Sequence, residues 1–452
     1  MREAAPNRLQ PPSTAGNVSW CGYLVLSLLV MSFAYELPLI NISRFDRLNP
    51  RLFDVSAGVF VMYWLFAGRK RGWRLRLRVP VVWPWFWVTL FFGLATLFSV
   101  FWIPYDTYLY SIFFFLKYLE AFIVVLIFAS IPFSNEVKRK LVWVALLGGA
   151  WVSFYALLQY FGIVSTQRFL PTGKEIALFE KGIYSTLGVT YFHVGMFGVL
   201  SCLIGFALFV SSTNYRDKIL ALLLTLLCFV PAMISGSKAG LLGLGIALIL
   251  IMMQREYRSR FGAYILVLLV VAGGYLFYTK SVARQRLEEG SGGKPAQRLL
   301  MGFESLRDIY EYHGPRMLAV GGGFYVVPAT PRMGGKPKYR VGYGNHNIFL
   351  FPLEQAGIGA FIAAIGLWVS VAIGLWRRVR RSARDSLDGA FAASMRCYFI
   401  TLMIVGIAGQ VFFLGFGTEH FTVYQLLLFI LAISPSMPGR ERVATTPYER
   451  TA

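Results

Sequence analysis

The chain has 452 residues, 56% of them hydrophobic and only 15% charged, with a mean hydropathy of +0.58. A soluble domain carries about a quarter charged residues, so the composition excludes a soluble enzyme, a disordered chain and a disulfide-knit secreted domain, and leaves a polytopic membrane protein. Lys and Arg number 44 against 22 Asp and Glu, a formal charge of +22 that must be either a topology signal or the mark of an anionic partner.

Residues 1–19 are polar and contain proline, and read as a cytoplasmic N-terminal tail. The apolar run from Trp20 is too long for a signal-peptide core and lacks a small-residue cleavage site after it, so it reads as the first membrane helix. Apolar runs of about 20 residues predict about twelve spans in an all-α protein. In chain order they are 20–40, 52–68, 80–102, 109–130, 141–163, 186–210, 219–235, 238–253, 261–279, 347–376, 391–414 and 420–434. The second and the last are short. Only Ser235-Gly236-Ser237 separates the seventh from the eighth, which makes them a hairpin or one interrupted segment. Residues 20–279 thus hold nine spans, 280–346 one large loop, 347–434 three more spans, and 435–452 a C-terminal tail. Cys21, Cys202, Cys228 and Cys397 all fall in apolar runs without a C-x-x-C pattern and point to no metal site.

The charges orient these spans. The connections 69–78, 135–140, 214–218, 254–260 and 377–385 carry 19 Lys and Arg, whereas the short connections of the other side carry about seven. The positive-inside rule therefore places the first set and both termini in the cytoplasm, as an even number of spans requires. These clusters read as orientation plus contact with anionic lipid head groups, not as nucleic-acid binding.

The loop 280–346 faces outward and is too long for a bare linker. Its stretch 296–312 puts Leu299, Phe303, Leu306 and Tyr310 on one helical face, with Arg298, Arg307 and Glu311 elsewhere. That pattern predicts an amphipathic helix on the outer surface or capping the bundle. Gly321-Gly322-Gly323 follows, then a turn region rich in Pro, Gly and Lys up to Gly344. Eleven Lys and Arg against five acids give the loop a basic surface that topology does not explain. It serves either an anionic partner, lipid phosphate or substrate, or plain solubility.

Three polar features stand at membrane boundaries. Ser235-Gly236-Ser237-Lys238 lies at the outer end of the seventh span, with Lys238 opening the eighth and Ala239, Gly240, Gly243 and Gly245 after it. Lys238 either snorkels to the interface or, with two hydroxyls and a helix N-terminus, forms an anion cradle. His346-Asn347 stands where the loop enters the tenth span; the His is either structural or the group that exchanges a proton near neutral pH. The loop arginines, Arg298 foremost and then Arg307 and Arg316, match diphosphate oxygens in bidentate fashion. There is no Walker A loop, no D-x-D and no H-E-x-x-H, which argues against an ATPase and against a carboxylate-held metal. His193 and His420 read as core or cavity-lining residues, and His313 and Glu304 as surface residues of the loop helix. All these polar groups gather at the outer surface.

The segment His346-Asn347-x9-Gly357-x-x-Ala360 resembles the H-[NSQ]-x9-G-x-x-G signature of the O-antigen ligases and related O-antigen polymerases, with Ala360 in place of the last glycine. SGSKAGLLGLGIALIL resembles that family's SGSR-like element opening a helix, with Lys238 where Arg is usual. QRLLMGFESLRDIYEYHGPRMLAVGGGFY resembles its Arg-containing loop helix and the Gly-rich turn after it. The motif match covers 235–360; twelve spans and a large loop before the His fit over the whole chain.

The resemblance implies a GT-C-like fold and an inverting, metal-independent glycosyltransferase without a cofactor, on the periplasmic face of the bacterial inner membrane. The donor would be a glycan on undecaprenyl diphosphate. The acceptor would be lipid A–core for a ligase or another lipid-linked glycan for a polymerase. His346 would then be catalytic, Lys238, Arg298 and Arg316 would bind diphosphate, and Asn347, Ser235 and Ser237 would support them. A lipid-linked glycan flippase is the alternative from another class, disfavoured by the lack of repeated halves and of mid-membrane charges.

Overall fold

A computed structural model describes residues 18–37, 39, 50–68, 70, 75, 80–164, 183, 185–187, 191–235, 237–254, 303–304, 306–307, 310–311, 314–324, 326–328, 339–341, 347–383, 386–408 and 419–434. The described chain is predominantly helical. Its helices are α1 (Trp20–Ser32), α2 (Leu52–Tyr63, continued by a π turn to Gly68), α3 (Val82–Phe98), α4 (Tyr105–Ala129), α5 (Asn135–Tyr160), α6 (Tyr191–Ser211), α7 (Tyr215–Ile234), α8 (Lys238–Met253), the short loop helix α9 (Pro315–Val320), α10 (Leu350–Arg381), α11 (Leu387–Ala408) and α12 (Glu419–Ile433). Seven are long and apolar enough to cross a membrane, those containing Val82–Phe101, Tyr105–Ala129, Asn135–Tyr160, His193–Ser211, Tyr215–Ile234, Leu350–Arg381 and Leu387–Ile407. Trp20–Ser32, Leu52–Gly68, Ala239–Met253 and Phe421–Ile433 are shorter apolar helices. The protein is a multi-pass membrane protein. Eleven of the twelve predicted segments overlap one of these helices; the ninth, 261–279, lies outside the described residues.

Local sequence sets the helix ends. Ser19, Ser134, Asn214 and Ser237 cap α1, α5, α7 and α8, each accepting a first-turn N–H on its side-chain oxygen. At the core, α6 and α11 bury most of their length, and every described side chain of α12 from Phe421 to Ala432 is buried. Phe197 stacks on Tyr424 at 5.2 Å between ring centroids, and Gln425 Nε2 donates to Tyr398 Oη at 2.7 Å. The flanking helices keep one apolar face outward, as lipid contact demands: Val55, Val59, Met62 and Phe66 on α2, and Phe113, Leu116 and Ile123 on α4.

The ends that carry the basic connections meet. The buried Lys138 ammonium donates to Asp388 Oδ1 at 2.6 Å and to the Ser434 carbonyl at 2.7 Å, and Arg378 pairs with the same Asp388. Four helices, α5, α10, α11 and α12, are thereby joined at one end. Arg139 binds Asp217 at 2.9 Å alongside, bringing α7 to the same end.

Several expectations need correction. The segment 20–40 is helical only to Ser32; Phe33 and Ala34 form a turn, and Glu36 donates its N–H to the Thr186 carbonyl at 2.9 Å. Helix α6 starts at Tyr191 rather than 186, behind a 3-10 turn at Ser185–Leu187. The basic stretches 135–140 and 377–381 are not loops but the first turns of α5 and the last of α10. The Pro, Gly and Lys-rich stretch holds an antiparallel pair, β1 (Val326–Pro328) with β2 (Tyr339–Val341), in the register Val326↔Val341. β-branched and aromatic residues at those positions favour pairing. Nor do the charges gather only at one surface: Lys117 and Glu120 stand at the middle of α4, where Lys117 pairs with Asp54 at 2.5 Å.

Candidate functional site

The segment 347–376, expected as one helix, is broken. Ala356 (φ −141°, ψ 18°) and Gly357 (φ 73°, ψ −170°) leave helical geometry, dividing α10 into a short leg, 350–355, and a long one. The break frees the carbonyls of Glu354 and Gln355, which in a continuous helix would meet N–H groups four residues on. The glycine-rich loop segment supplies the donors: Gly322 N–H binds the Glu354 carbonyl at 3.0 Å, and Gly323 N–H that of Gln355 at 3.1 Å. The spacing H-N-x9-G thus has a physical reading: Gly357 is the residue at positive φ that lets the helix break.

The inserted segment is held on three sides. Ser111 Oγ donates to the Phe324 carbonyl at 2.6 Å, Phe324 N–H to Thr96 Oγ1 at 3.3 Å, and Trp102 Nε1 to the Gly322 carbonyl at 3.4 Å. Gln355 Nε2 reaches the Val326 carbonyl at 3.2 Å. The Phe324 ring lies among Phe92, Phe115 and Tyr118. Gly321 through Phe324 are all buried, so this part of the loop belongs to the bundle rather than to its surface. Arg316 is exposed in the first turn of α9, which runs directly into Gly321.

Asn347 is a structural fastener. Its amide oxygen accepts from Phe349 N–H at 2.8 Å and Leu350 N–H at 3.3 Å, opening α10, while Nδ2 donates to the Ile407 carbonyl at 2.9 Å near the end of α11. Ile348 N–H adds a bond to the Gly406 carbonyl. The side chain to which the resemblance gives a supporting role is engaged in joining two helices.

The Ser235–Lys238 stretch is a capped hairpin turn. Ser237 Oγ accepts from Gly240 N–H at 2.9 Å, and Ser235 Oγ lies 3.4 Å from Ser237 N–H. Both serines are buried, so their hydroxyls serve the turn. Gly195 of α6 fits against it: a Cβ there would lie 3.0 Å from Ser235 Oγ and from Ser237 Cβ. Along α6, Gly205 faces Thr225 and Gly195 faces Ser235, so α7 runs antiparallel to α6. Lys238 is the first residue of α8, and its side chain lies outside the described residues. Helix α8 packs through Gly243 on Met196 of α6 and Thr401 of α11. The Lys238 helix and the Asn347 fastener therefore flank the same helix, α11. Arg298 and His346 lie outside the described residues, as do His313 and the side chain of His420. Buried His193 stands edge-on to Phe421 at 5.5 Å, in the core as expected.

At positions 303–304, 306–307 and 310–311 the backbone is helical; Phe303 and Tyr310 are exposed, and Arg307 pairs with Glu311 at 3.5 Å. Sequence reasoning passed over a second polar cluster. Arg51 lies 3.9 Å from Glu36, its N–H binds Asp54 Oδ2 at 2.6 Å, and Asp54 leads to Lys117 and Glu120. Lys117 and Glu120, one turn apart in an apolar run, were the signal for it. Among the described residues no group of three His, Cys, Asp or Glu converges as metal ligands would. The chain matches no family model and no curated protein.

Proposed function

We propose that this protein transfers a glycan from undecaprenyl diphosphate to an acceptor hydroxyl at the periplasmic face of a bacterial inner membrane, as an O-antigen ligase acting on lipid A–core. In this reading twelve spans form a GT-C-like bundle, and the end where Lys138, Arg378 and Asp388 meet is cytoplasmic. One observation carries the proposal: two segments of the resemblance that lie far apart in sequence, the Gly-rich turn and the H-N-x9-G element, are bound to each other through Gly322 with Glu354 and Gly323 with Gln355.

The chemistry follows from the residues. The acceptor oxygen attacks the anomeric carbon on the face opposite the diphosphate; its C–O bond forms as the one to the leaving oxygen breaks, inverting that carbon. Negative charge grows on the departing lipid diphosphate, and Lys238, Arg298 and Arg316 stabilise it more in the transition state than in the ground state. His346 takes the acceptor proton. Ser235, Ser237 and Asn347 hold the turn and the helix start on which Lys238 and His346 depend.

A second reading, movement of a lipid-linked glycan across the bilayer, is favoured by the Lys117 and Glu120 charges at the middle of α4, with Asp54 of α2 paired to Lys117. Reconstitution with a lipid-diphosphate glycan and an acceptor separates these readings. Finished chains on a second lipid support a ligase, and a ladder on one lipid a polymerase. Donor that changes leaflet without covalent change means transport, and the transferase reading then falls.

A further inference from the structure

We infer that Gly321 and Gly357 form a joint that positions the loop helix α9 against the start of α10, and that both are positioning residues for glycan transfer. The inference rests on the reading above. Gly321 (φ 87°, ψ 173°) and Gly357 (φ 73°, ψ −170°) both occupy extended backbone at positive φ, a region open essentially to glycine. Their contacts are reciprocal. A Cβ on Gly321 would overlap the Gln355 carbonyl and the Ala356 nitrogen, and one on Gly357 would overlap the Ala319 carbonyl and the Val320 nitrogen. Each glycine thus seats on the backbone beside the other, with no room for a side chain.

The joint is closed by hydrogen bonds that neither partner can make alone. The carbonyls of Glu354 and Gln355, just before the break, accept from Gly322 and Gly323 of the loop. An unbroken helix would satisfy Glu354 and Gln355 within itself, so the break does not serve the helix. What it accomplishes is attachment: the backbone five residues after Arg316 is fixed to the helix whose first turn is held by Asn347, the sequence neighbour of His346. A diphosphate-binding cation and the proton acceptor then move as one unit, which keeps the leaving group and the acceptor in register during transfer. Ser111 and Thr96 brace the unit from α4 and α3.

The test uses full-length protein in nanodiscs, wild type against Gly357→Ala, Gly321→Ala and Gly314→Ala. Gly314 has the same backbone class (φ 77°, ψ 176°) but nothing within 4 Å of its would-be Cβ, so its variant carries strain without overlap. Ser111→Ala is a milder variant that loosens the brace should the joint variants fail to fold. Amide hydrogen exchange at Gly322 and Gly323 reads the joint directly, without any activity. The expected result is exchange faster by about tenfold or more in Gly357→Ala and Gly321→Ala, less in Ser111→Ala, and unchanged in Gly314→Ala. In the first two, kcat per folded molecule falls by about a hundredfold, while KM for an undecaprenyl-diphosphate glycan donor stays within about twofold. Unchanged exchange in the joint variants means there is no joint. Faster exchange with wild-type kcat means the joint is structural and the positioning role is wrong. Wild-type protein that transfers no glycan overturns the preceding reading and the positioning role with it, while the exchange result still decides the joint.

Discussion

Lys117 Nζ lies 2.5 Å from Asp54 Oδ1, tying the middle of α4 to the first turn of α2. Lys117 stands about 18 Å along α4 from its start, at 1.5 Å per residue, well inside the apolar stretch. Charges there persist only when paired. Both groups are mostly buried, so removing one leaves the other uncompensated, a cost of about 1–3 kcal/mol after allowing for partial solvent access. Lys117→Met or Asp54→Asn alone should lower the thermal midpoint in detergent, and the two together should recover more than half of that loss. Additive losses in the double variant would show that the pair contributes no coupling. Glycan transfer per folded molecule should be unchanged in all three, whereas a transporter would lose translocation.

Asn347 gives a second stability prediction. Asn347→Ala removes the acceptor for Phe349 and Leu350 N–H and the donor to Ile407, for a loss of about 1–3 kcal/mol. Asn347→Asp would replace it freely were capping the whole role, since Asp caps as well as Asn. With Nδ2 facing the Ile407 carbonyl at 2.9 Å, a carboxylate oxygen there meets another oxygen in a buried place, so Asp should be at least as harmful as Ala. Thermal unfolding of the two variants decides; an Asp variant as stable as wild type removes the α10–α11 tie from the account.

How much of this was legible in the sequence depends on the physical signal. Runs such as Tyr105–Ala129 and Leu387–Ala408 are apolar over a full membrane thickness, so their existence was plain. Their ends were less so, because the amphipathic turns 135–140 and 377–381 read as loops by charge while their backbone stays helical. The break at Ala356–Gly357 was hidden: Gly357 sits in an apolar run where glycine also serves close helix packing. Only the partner segment, Gly321–Gly323, gives it a role, and no local pattern links residues so far apart. Likewise Ser235, Ser237 and Asn347 were visible as polar residues at boundaries, but capping and ligand binding use the same side chains. The Glu36–Arg51–Asp54–Lys117 chain was missed because its members are scattered over the stretch after α1, the start of α2 and the middle of α4.

His346 is proposed to take the acceptor proton. His346→Ala should slow transfer by about a hundredfold or more, while binding of the lipid-diphosphate donor is kept. Single-turnover transfer beside donor binding measures both. Near-normal turnover in a correctly inserted variant would make the residue structural.

Lys238, proposed to meet the leaving diphosphate, opens α8 behind the Ser237 cap. Lys238→Ala should weaken donor binding and slow transfer, and Lys238→Arg should keep more activity, since the charge remains though its geometry changes. The same order is expected for Arg298→Ala against Arg298→Lys. A Lys238→Ala protein that binds and transfers normally would leave Lys238 as a boundary residue that snorkels to the interface.

Transfer should not depend on a divalent metal. Enzymes that hold a sugar diphosphate through Mg²⁺ or Mn²⁺ need carboxylates to fix the ion. On the face assigned to the site, the chain offers Asp46, Asp54, Asp106, Glu175, Glu180, Glu288, Glu289, Glu304, Asp308, Glu311 and Glu419, of which only Glu288 and Glu289 are adjacent. Several acids near that face are already committed to cations: Asp54 to Lys117, Glu36 to Arg51 and Glu311 to Arg307. Recruiting Asp54 or Glu36 for a metal would strand the mostly buried Lys117 or the buried Arg51 in an apolar setting. The loop 280–346 meanwhile supplies eleven Lys and Arg, enough to neutralise a diphosphate directly. Purified protein in nanodiscs should therefore form product at the same rate with excess EDTA. The check is product formation with and without chelator, followed by adding back Mg²⁺ or Mn²⁺. Activity lost on chelation and restored by one of those ions would show that an acidic site, and not Lys238, Arg298 and Arg316, stabilises the leaving group.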